Sequence, residues 1–579
     1  MKKLLLALSS MALITACNTT APKPESANLV LLYTTDVHGA ALQYDFKHDA
    51  PAETSLANVC TYVKQQREAN PDAVMLFDTG DFLQGQPSMY YYNFVDTLSQ
   101  HIAARVYNYM CYDALGAGNH DIETGEAVYN GSFANDLQMP WLCANAIDTR
   151  TSKPMFQPYT VITRQGFKIA ILGMITPHIH AWLPKTLWPN LEFEDMIECA
   201  RKWVPEIQKK EQPDLLIGLF HSGSNYTIDG ADIDTPFNEN GGIPAATKVP
   251  GFDIILLGHD HSQGTFDIIN VAGDTVKVLD AATQARLIGR ADIALSRNAD
   301  GTYSKNITSS LIKAIDYPAD AAFCAEFEAD VKKVNEYVDA PIGKLTDNLP
   351  GINGLYGPCP FMDLVHDVQL WATKADVSFA AVLSPYEVIP AGTITMRHLF
   401  SIYKYENQLF TLRMKGSEIK KYLEHGFAQQ FNTLTGPSSQ LLKRVNGKLA
   451  TATFNYTSAA GIRYTVDLTK PEGERVIIHS MSDGSAFDFN ADYKVALNSY
   501  QASGGGNFIP VGLGWSQEQL EDNTLDTTPI DVRRYVAAYI KEQGTITPHL
   551  RGDWNIVPTD WWENAKKHEI ADSSTRNAR

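Results

Sequence analysis

A two-domain α/β protein is what this sequence predicts, on three observations. Short apolar runs rich in leucine and β-branched residues, at 29–33, 74–77, 169–173, 215–220 and 254–257, suit strands buried on both faces. Amphipathic helical stretches such as 56–68 and 195–210 lie between them, the alternation expected of α/β layers. A long amphipathic segment bounded by Pro318 and Pro341 then divides the chain. The 579 residues are 44% hydrophobic and 20% charged, which excludes a disordered chain, a collagen and a multi-span membrane protein.

From the N-terminus, Met1-Lys2-Lys3 gives a basic start to an apolar run over 4–14. That run is too short to anchor in a bilayer and reads as a signal peptide. It ends in Ile14-Thr15-Ala16-Cys17, which resembles a bacterial lipobox. The resemblance implies a signal peptide over 1–17, lipidation of Cys17 and a tether over 18–27. The protein would then be an exported lipoprotein, held at the outer membrane, in the periplasm or at the cell surface by its lipid alone. A first domain is expected over 28–317 and a linker helix over 318–341, with Phe323, Phe327, Val331 and Val334 as its apolar stripe. A second domain over 342–560 mixes helices (362–373, 417–427, 531–543) with strands (408–414, 493–497). A polar tail follows over 561–579, expected to fray from Lys566. The six cysteines after Cys17 form no CxxC pair, so a zinc ribbon is not indicated and free thiols are expected. The net charge of -18 repels polyanions, so the expected partner is a small molecule and not a nucleic-acid polymer. A monomer is expected.

The chemistry lies just after the apolar runs. Four of them lead into Asp36-Val37-His38-Gly39, Asp78-Thr79-Gly80-Asp81, His221-Ser222-Gly223 and Gly258-His259-Asp260-His261, and a further segment ends in Gly118-Asn119-His120-Asp121. In open α/β sheets ligands bind beyond the carboxyl ends of the strands. Imidazole, carboxylate and one amide oxygen suit Zn, Mn or Fe better than Ca. Their number supports two divalent ions, and an ion pair about 3.5–4 Å apart serves in-line displacement at phosphorus.

Asp36/His38, Gly80-Asp81 through Gly85, Gly118-Asn119-His120-Asp121, His221 and His259/His261 together resemble the calcineurin-like metallophosphoesterases. The resemblance implies a four-layer α/β domain. Asp36, His38, Asp81 and His261 would hold one ion; Asp81, Asn119, His221 and His259 would hold the other, with Asp81 bridging. His120 would face the phosphate and assist the leaving oxygen. Glu123 stands where the family often has Asp or Asn, three residues after that histidine, and is placed to orient it.

A C-terminal α/β domain behind such a domain is similar to the bacterial 5'-nucleotidase family, over roughly 28–555. Tyr403-Lys404-Tyr405-Glu406-Asn407 and the segment from Asn498 through Tyr500 to Gly506 are similar to its base-binding segments. They imply Tyr405 and Tyr500 as a stacking pair, Asn407 as a nucleoside partner, and Gly504 and Gly505 as the turn beside a flat ring. Segments 357–370 and 375–381 resemble the 2',3'-cyclic-nucleotide 2'-phosphodiesterase/3'-nucleotidase branch. The arginine-bearing segment of the 5'-nucleotidases proper is replaced by Ser384-Pro385-Tyr386-Glu387, which leaves Arg397 as a substitute phosphate contact. The expected activity is hydrolysis of nucleoside 2',3'-cyclic phosphates and 3'-nucleotides in extracellular salvage. The alternatives are a 5'-nucleotidase or UDP-sugar hydrolase, and a non-catalytic nucleotide-binding lipoprotein.

Overall fold

The computed structural model describes residues 23–224 and 237–577; Cys17 and the signal segment lie outside the described residues. Two six-stranded sheets stack face to face in the first domain. One has the order Tyr303–Lys313, Leu287–Arg297, Ser26–Thr34, Val74–Asp78, Ala114–Gly116, Trp141–Leu142. The other has the order Gln263–Ile269, Thr275–Ala281, Ile254–Leu257, Leu215–His221, Phe167–Ile175, Tyr159–Arg164. Leu29, Leu31, Met75 and Phe77 meet Ile169, Ile171, Ile217 and Leu256 between the sheets. The intervening Val30, Leu32 and Leu76 turn outward against helices Leu56–Ala69 and Ile102–Met110. Ala170, Leu172 and Leu216 do the same against helix Met196–Glu211. The result is the four-layer α/β arrangement, and its double coverage is why these strands read as unbroken apolar runs.

The central strands are parallel. Residues 30–34 pair with 74–78, Phe77 and Asp78 with Ala114 and Leu115, and in the second sheet 215–221 with 169–175 and 217–219 with 254–256. Their carboxyl ends therefore share one rim of the sandwich. In the C-terminal domain a five-stranded sheet has the order Thr457–Ala460, Val377–Ala381, Asp492–Asn498, Gln408–Lys415, Thr524–Asp531. Helices Pro360–Thr373 and Gly416–Gln430 cover it.

Two expectations are corrected. The linker is not one helix: Ala321–Glu326 and Glu328–Val338 meet at Phe327, whose backbone leaves the helical region. The Phe327 ring is buried against Phe323 and Tyr109, with the Arg105 guanidinium over its face, so the chain bends to seat it. The tail is not frayed from Lys566, because helix Thr559–Asn577 docks on the C-terminal domain. Trp562 Nε1 donates to the Tyr356 carbonyl (2.7 Å), and Glu569 accepts from the Leu441 backbone N–H (2.6 Å). Across the domains, Tyr90 donates to Asp531 (2.9 Å) and Arg534 to the Phe94 carbonyl (3.3 Å). The six cysteines are free, with Cys111 exposed. Among the described residues no helix is long and apolar enough to cross a membrane.

Candidate metal centre

The shared rim gathers two groups of candidate ligands: Asp36, His38 and His261, and Asp81, His221 and His259. In the first, His38 Nε2 faces His261 Nε2 at 2.9 Å, and Asp36 Oδ1 lies 3.4 Å from His261 Nε2. In the second, His221 Nε2 is 3.1 Å from both Asp81 Oδ2 and Asn119 Oδ1, and His259 Nδ1 is 2.9 Å from the same amide oxygen. Every side chain named from the sequence as a ligand is thus brought to the rim.

The loops that carry them are built for close approach. Asp121 does not reach the cluster. Its carboxylate accepts the backbone N–H groups of Asp81, Phe82, Leu83 and Gly118 at 2.8–3.0 Å and so clasps two ligand loops together. Gly118 is required there, because a Cβ would stand 2.2 Å from Asp81 Oδ1.

Hydrogen-bond chemistry tests whether this set fits a cation. His221 Nδ1 donates to the Thr79 carbonyl at 3.1 Å, which leaves Nε2 as a lone pair aimed at two oxygen acceptors. His259 Nε2 donates to Glu239 at 3.0 Å, so its Nδ1 lone pair likewise faces an acceptor, the Asn119 oxygen. Acceptors converging on acceptors repel unless a positive charge stands between them, and the residues fit divalent ions. Without one, a proton takes that role. Burial lowers the His221 pKa, but the charge and hydrogen bond of Asp81 outweigh it and push it up to about 9. Burial raises Asp36, while hydrogen bonding to His261 and the charges of His221 and His261 bring it down to about 2.

His120 stands beside the cluster, on the wall of the cavity that opens there. Its backbone N–H donates to Asp81 Oδ1 (2.7 Å) and its Nδ1 pairs with Glu123 Oε2 (2.5 Å), which leaves Nε2 for the cavity. Burial opposes its protonation, but the charges of Asp81 and Glu123 push its pKa up to about 10.

A cavity of about 770 Å³ opens from Asp81, Asn119, His120, His259 and His261 and continues into the C-terminal domain. There it is lined by Tyr405, Phe454 and Tyr500 with Asn407, Asn455, Asn498, Asn507 and Gln429. The Phe454 ring is edge-on to Tyr405 (6.2 Å, 88°) and to Tyr500 (5.4 Å, 85°), forming an aromatic slot. Tyr500 donates to Asn455 at 3.2 Å. Gly505 lies behind this wall, where a Cβ would stand 2.5 Å from the Tyr500 ring, while Gly504 turns at φ 111° with its open side toward the Ala181 carbonyl. Arg397 is not brought to the cavity. Its guanidinium is buried at the domain junction, on Asp339 Oδ1 (2.6 Å), Asn335 Oδ1 (3.1 Å) and the Phe46 carbonyl. Phe454, Trp182 and Glu239 went unnoticed in the sequence. Phe454 follows Thr453 without a turn signal, and Glu239 in Asn238-Glu239-Asn240-Gly241 reads as an ordinary polar loop.

Residues 29–263 match the calcineurin-like phosphoesterase family, and residues 341–511 match the 5'-nucleotidase C-terminal domain. The 2',3'-cyclic-nucleotide 2'-phosphodiesterase/3'-nucleotidase of Yersinia enterocolitica is 25% identical over 95% of this chain and 91% of that protein. The trifunctional nucleotide phosphoesterase protein YfkN of Bacillus subtilis is 26% identical over 92% of this chain, which spans only 39% of its length. A Staphylococcus aureus crystal structure of the 5'-nucleotidase type superposes with a TM-score of 0.76 at 21% identity, over 92% of this chain and 100% of that one.

Proposed function

We propose that the chain, a calcineurin-like phosphoesterase domain joined to a 5'-nucleotidase C-terminal domain, is a metal-dependent phosphoric ester hydrolase of nucleotides that opens nucleoside 2',3'-cyclic phosphates and removes phosphate from 3'-nucleotides. The observation that carries this reading is the one cavity that joins the ligand cluster of the first domain to the aromatic, amide-lined slot of the second. Among its described lining residues there is no Lys or Arg. A cyclic phosphodiester bears one negative charge, less than a monoester at neutral pH, and so asks less of the side chains around it; the 3'-nucleotide half of the reading rests instead on the similarity to the Yersinia enterocolitica enzyme.

Asp36, His38, Asp81 and His261 would hold one divalent ion and Asp81, Asn119, His221 and His259 a second, with Zn, Mn or Fe matching the donor set. Such ions supply Lewis-acid polarisation of the phosphoryl group and an activated water. Tyr405, Phe454 and Tyr500 would hold the base, a stacking contact of about 1–3 kcal/mol that tolerates different bases. Asn407 and its neighbouring amides would face the nucleoside. Water adds to phosphorus and gives up one proton, the bond from phosphorus to the ribose 2'-oxygen breaks, and His120 donates the Nε2 proton to that departing oxygen and is reprotonated by the proton the water gives up. Glu123 holds the imidazole in place through Nδ1. Domain limits at 28–317 and 342–560, lipidation at Cys17 and salvage of extracellular nucleotides belong to the same reading, the last two resting on the lipobox-like segment.

The test is phosphoester hydrolysis by the purified protein with Mn or Zn, with 2',3'-cyclic AMP, 3'-AMP, 5'-AMP and a UDP-sugar side by side. The first two should be turned over at least about tenfold faster in kcat/KM, a difference of about 1.4 kcal/mol. Preference for 5'-AMP or the UDP-sugar would overturn the substrate choice and leave the metal centre standing.

A further inference from the structure

We propose that Glu239 is a positioning residue for the second ion, and that the short strap 237–241 builds that half of the centre. This rests on the dinuclear reading above and extends it to residues outside the ligand set.

Glu239 is buried and His259 partly buried, and their side chains meet at 3.0 Å between Oε1 and Nε2. An ionised carboxylate only accepts, so the ring nitrogen facing it carries the hydrogen. That choice of tautomer turns the Nδ1 lone pair toward Asn119 Oδ1, where the second ion would sit. The ring is held from its face by Trp182, with centroids 5.2 Å apart and planes inclined by 36°. Among the described residues, His259 is the one candidate ligand whose outer nitrogen meets a carboxylate; His221 has a backbone carbonyl in that place. A negative partner fixes ring orientation and raises the basicity of the ligating nitrogen.

The same strap grips the loop of the other histidine ligand. Ser222 Oγ donates to the Glu239 carbonyl (2.8 Å) and accepts from the Gly241 backbone N–H (2.9 Å). Asn240 Oδ1 accepts from the Gly223 backbone N–H (3.1 Å). One five-residue segment therefore sets the backbone after His221 and the ring of His259.

The experiment is a calorimetric titration of Mn2+ into the metal-stripped protein, for the native chain, Glu239→Gln and Glu239→Asp. Glu239→Gln keeps every backbone contact of the strap and loses only the charge. The native chain should bind two ions. Glu239→Gln should keep one site at native affinity and weaken the other by about 10- to 100-fold. Glu239→Asp, which keeps the charge on a shorter arm, should fall between. Two native-strength sites in Glu239→Gln, or equal weakening of both, would overturn the proposal. A native chain that binds a single ion would overturn the dinuclear reading itself and this proposal with it.

Discussion

Asp36, His38, Asp81, His259 and His261 all hold positive φ, between 47° and 79°. Left-handed backbone costs an ordinary residue about 1–2 kcal/mol, and Asp and His tolerate it better than most. Such strain persists where surrounding contacts over-determine it, and here the Asp121 clasp and the stacked sheets do so. The His120–Glu123 pair belongs to the same scale, and its effect on pH can be signed. Burial lowers the His120 pKa, and the negative charges of Asp81 and Glu123 raise it to about 10. A group that donates a proton must carry it, so loss of that proton sets an alkaline limb on the rate. Replacing Glu123 with Gln removes one of the raising charges. The alkaline limb of kcat should then move to lower pH by about 1–3 units. A pH–rate profile on the cyclic substrate checks this, and a limb that stays in place would remove Glu123 from the dyad.

At the scale of elements, what could be read in advance followed from local rules. Strand 254–257 coincides with its expected bounds and 215–220 lengthens by one residue, because a run covered on both faces leaves an uninterrupted apolar signature. The ligands were legible because they stand at or shortly after strand ends, most of them within two residues of a glycine. Elements governed by distant partners were not. The linker bends at Phe327 to bury a ring against the first domain, and the C-terminal helix is ordered by Trp561, Trp562 and Ile570 packing on a core assembled from elsewhere in the chain. Arg397 misled for the same reason, since nothing local announces that its partners are Asp339, Asn335 and the Phe46 carbonyl. It ties the linker to both domains, and Arg397→Ala should act on stability. Asp339 is largely exposed, which weakens that ion pair, but the abandoned Phe46 carbonyl is buried; a loss of about 1–3 kcal/mol is expected. Denaturant unfolding should show it while KM for nucleotides stays within about twofold, whereas a tenfold rise in KM would return Arg397 to the substrate.

Taken as a whole, the molecule distributes its titrating groups so that opposite pH dependences overlap. His366, in the C-terminal domain, is fully enclosed between the Ser378 and Ser458 hydroxyls at 3.0 Å each. Burial, with the Arg551 charge in support, takes its pKa down to about 3. His101, in the first domain, is lowered to about 3 by burial alone, and its Nδ1 accepts the Ala103 backbone N–H at the start of a helix. An unfolded histidine titrates near 6.5, so between about 6.5 and 3 the unfolded chain binds protons that the folded chain refuses. The stability these residues contribute is complete above about pH 6.5 and is lost as the pH falls, by about 1.4 kcal/mol per unit for each histidine. Asp78 and Glu406, both pushed up to about 7 chiefly by burial, work the other way. Folded, they take up protons below pH 7 before the unfolded chain does, so they add stability on acidification. The total curve is therefore a partial cancellation, and the readable quantity is a difference between variants. His366→Gln can still bond a serine hydroxyl and does not titrate. Its unfolding free energy should run closer to the native value as the pH falls, the two curves converging by about 1.4 kcal/mol per unit below pH 6.5. Urea unfolding at pH 7, 6, 5 and 4 measures the slope, and parallel curves would mean that His366 is protonated inside the fold.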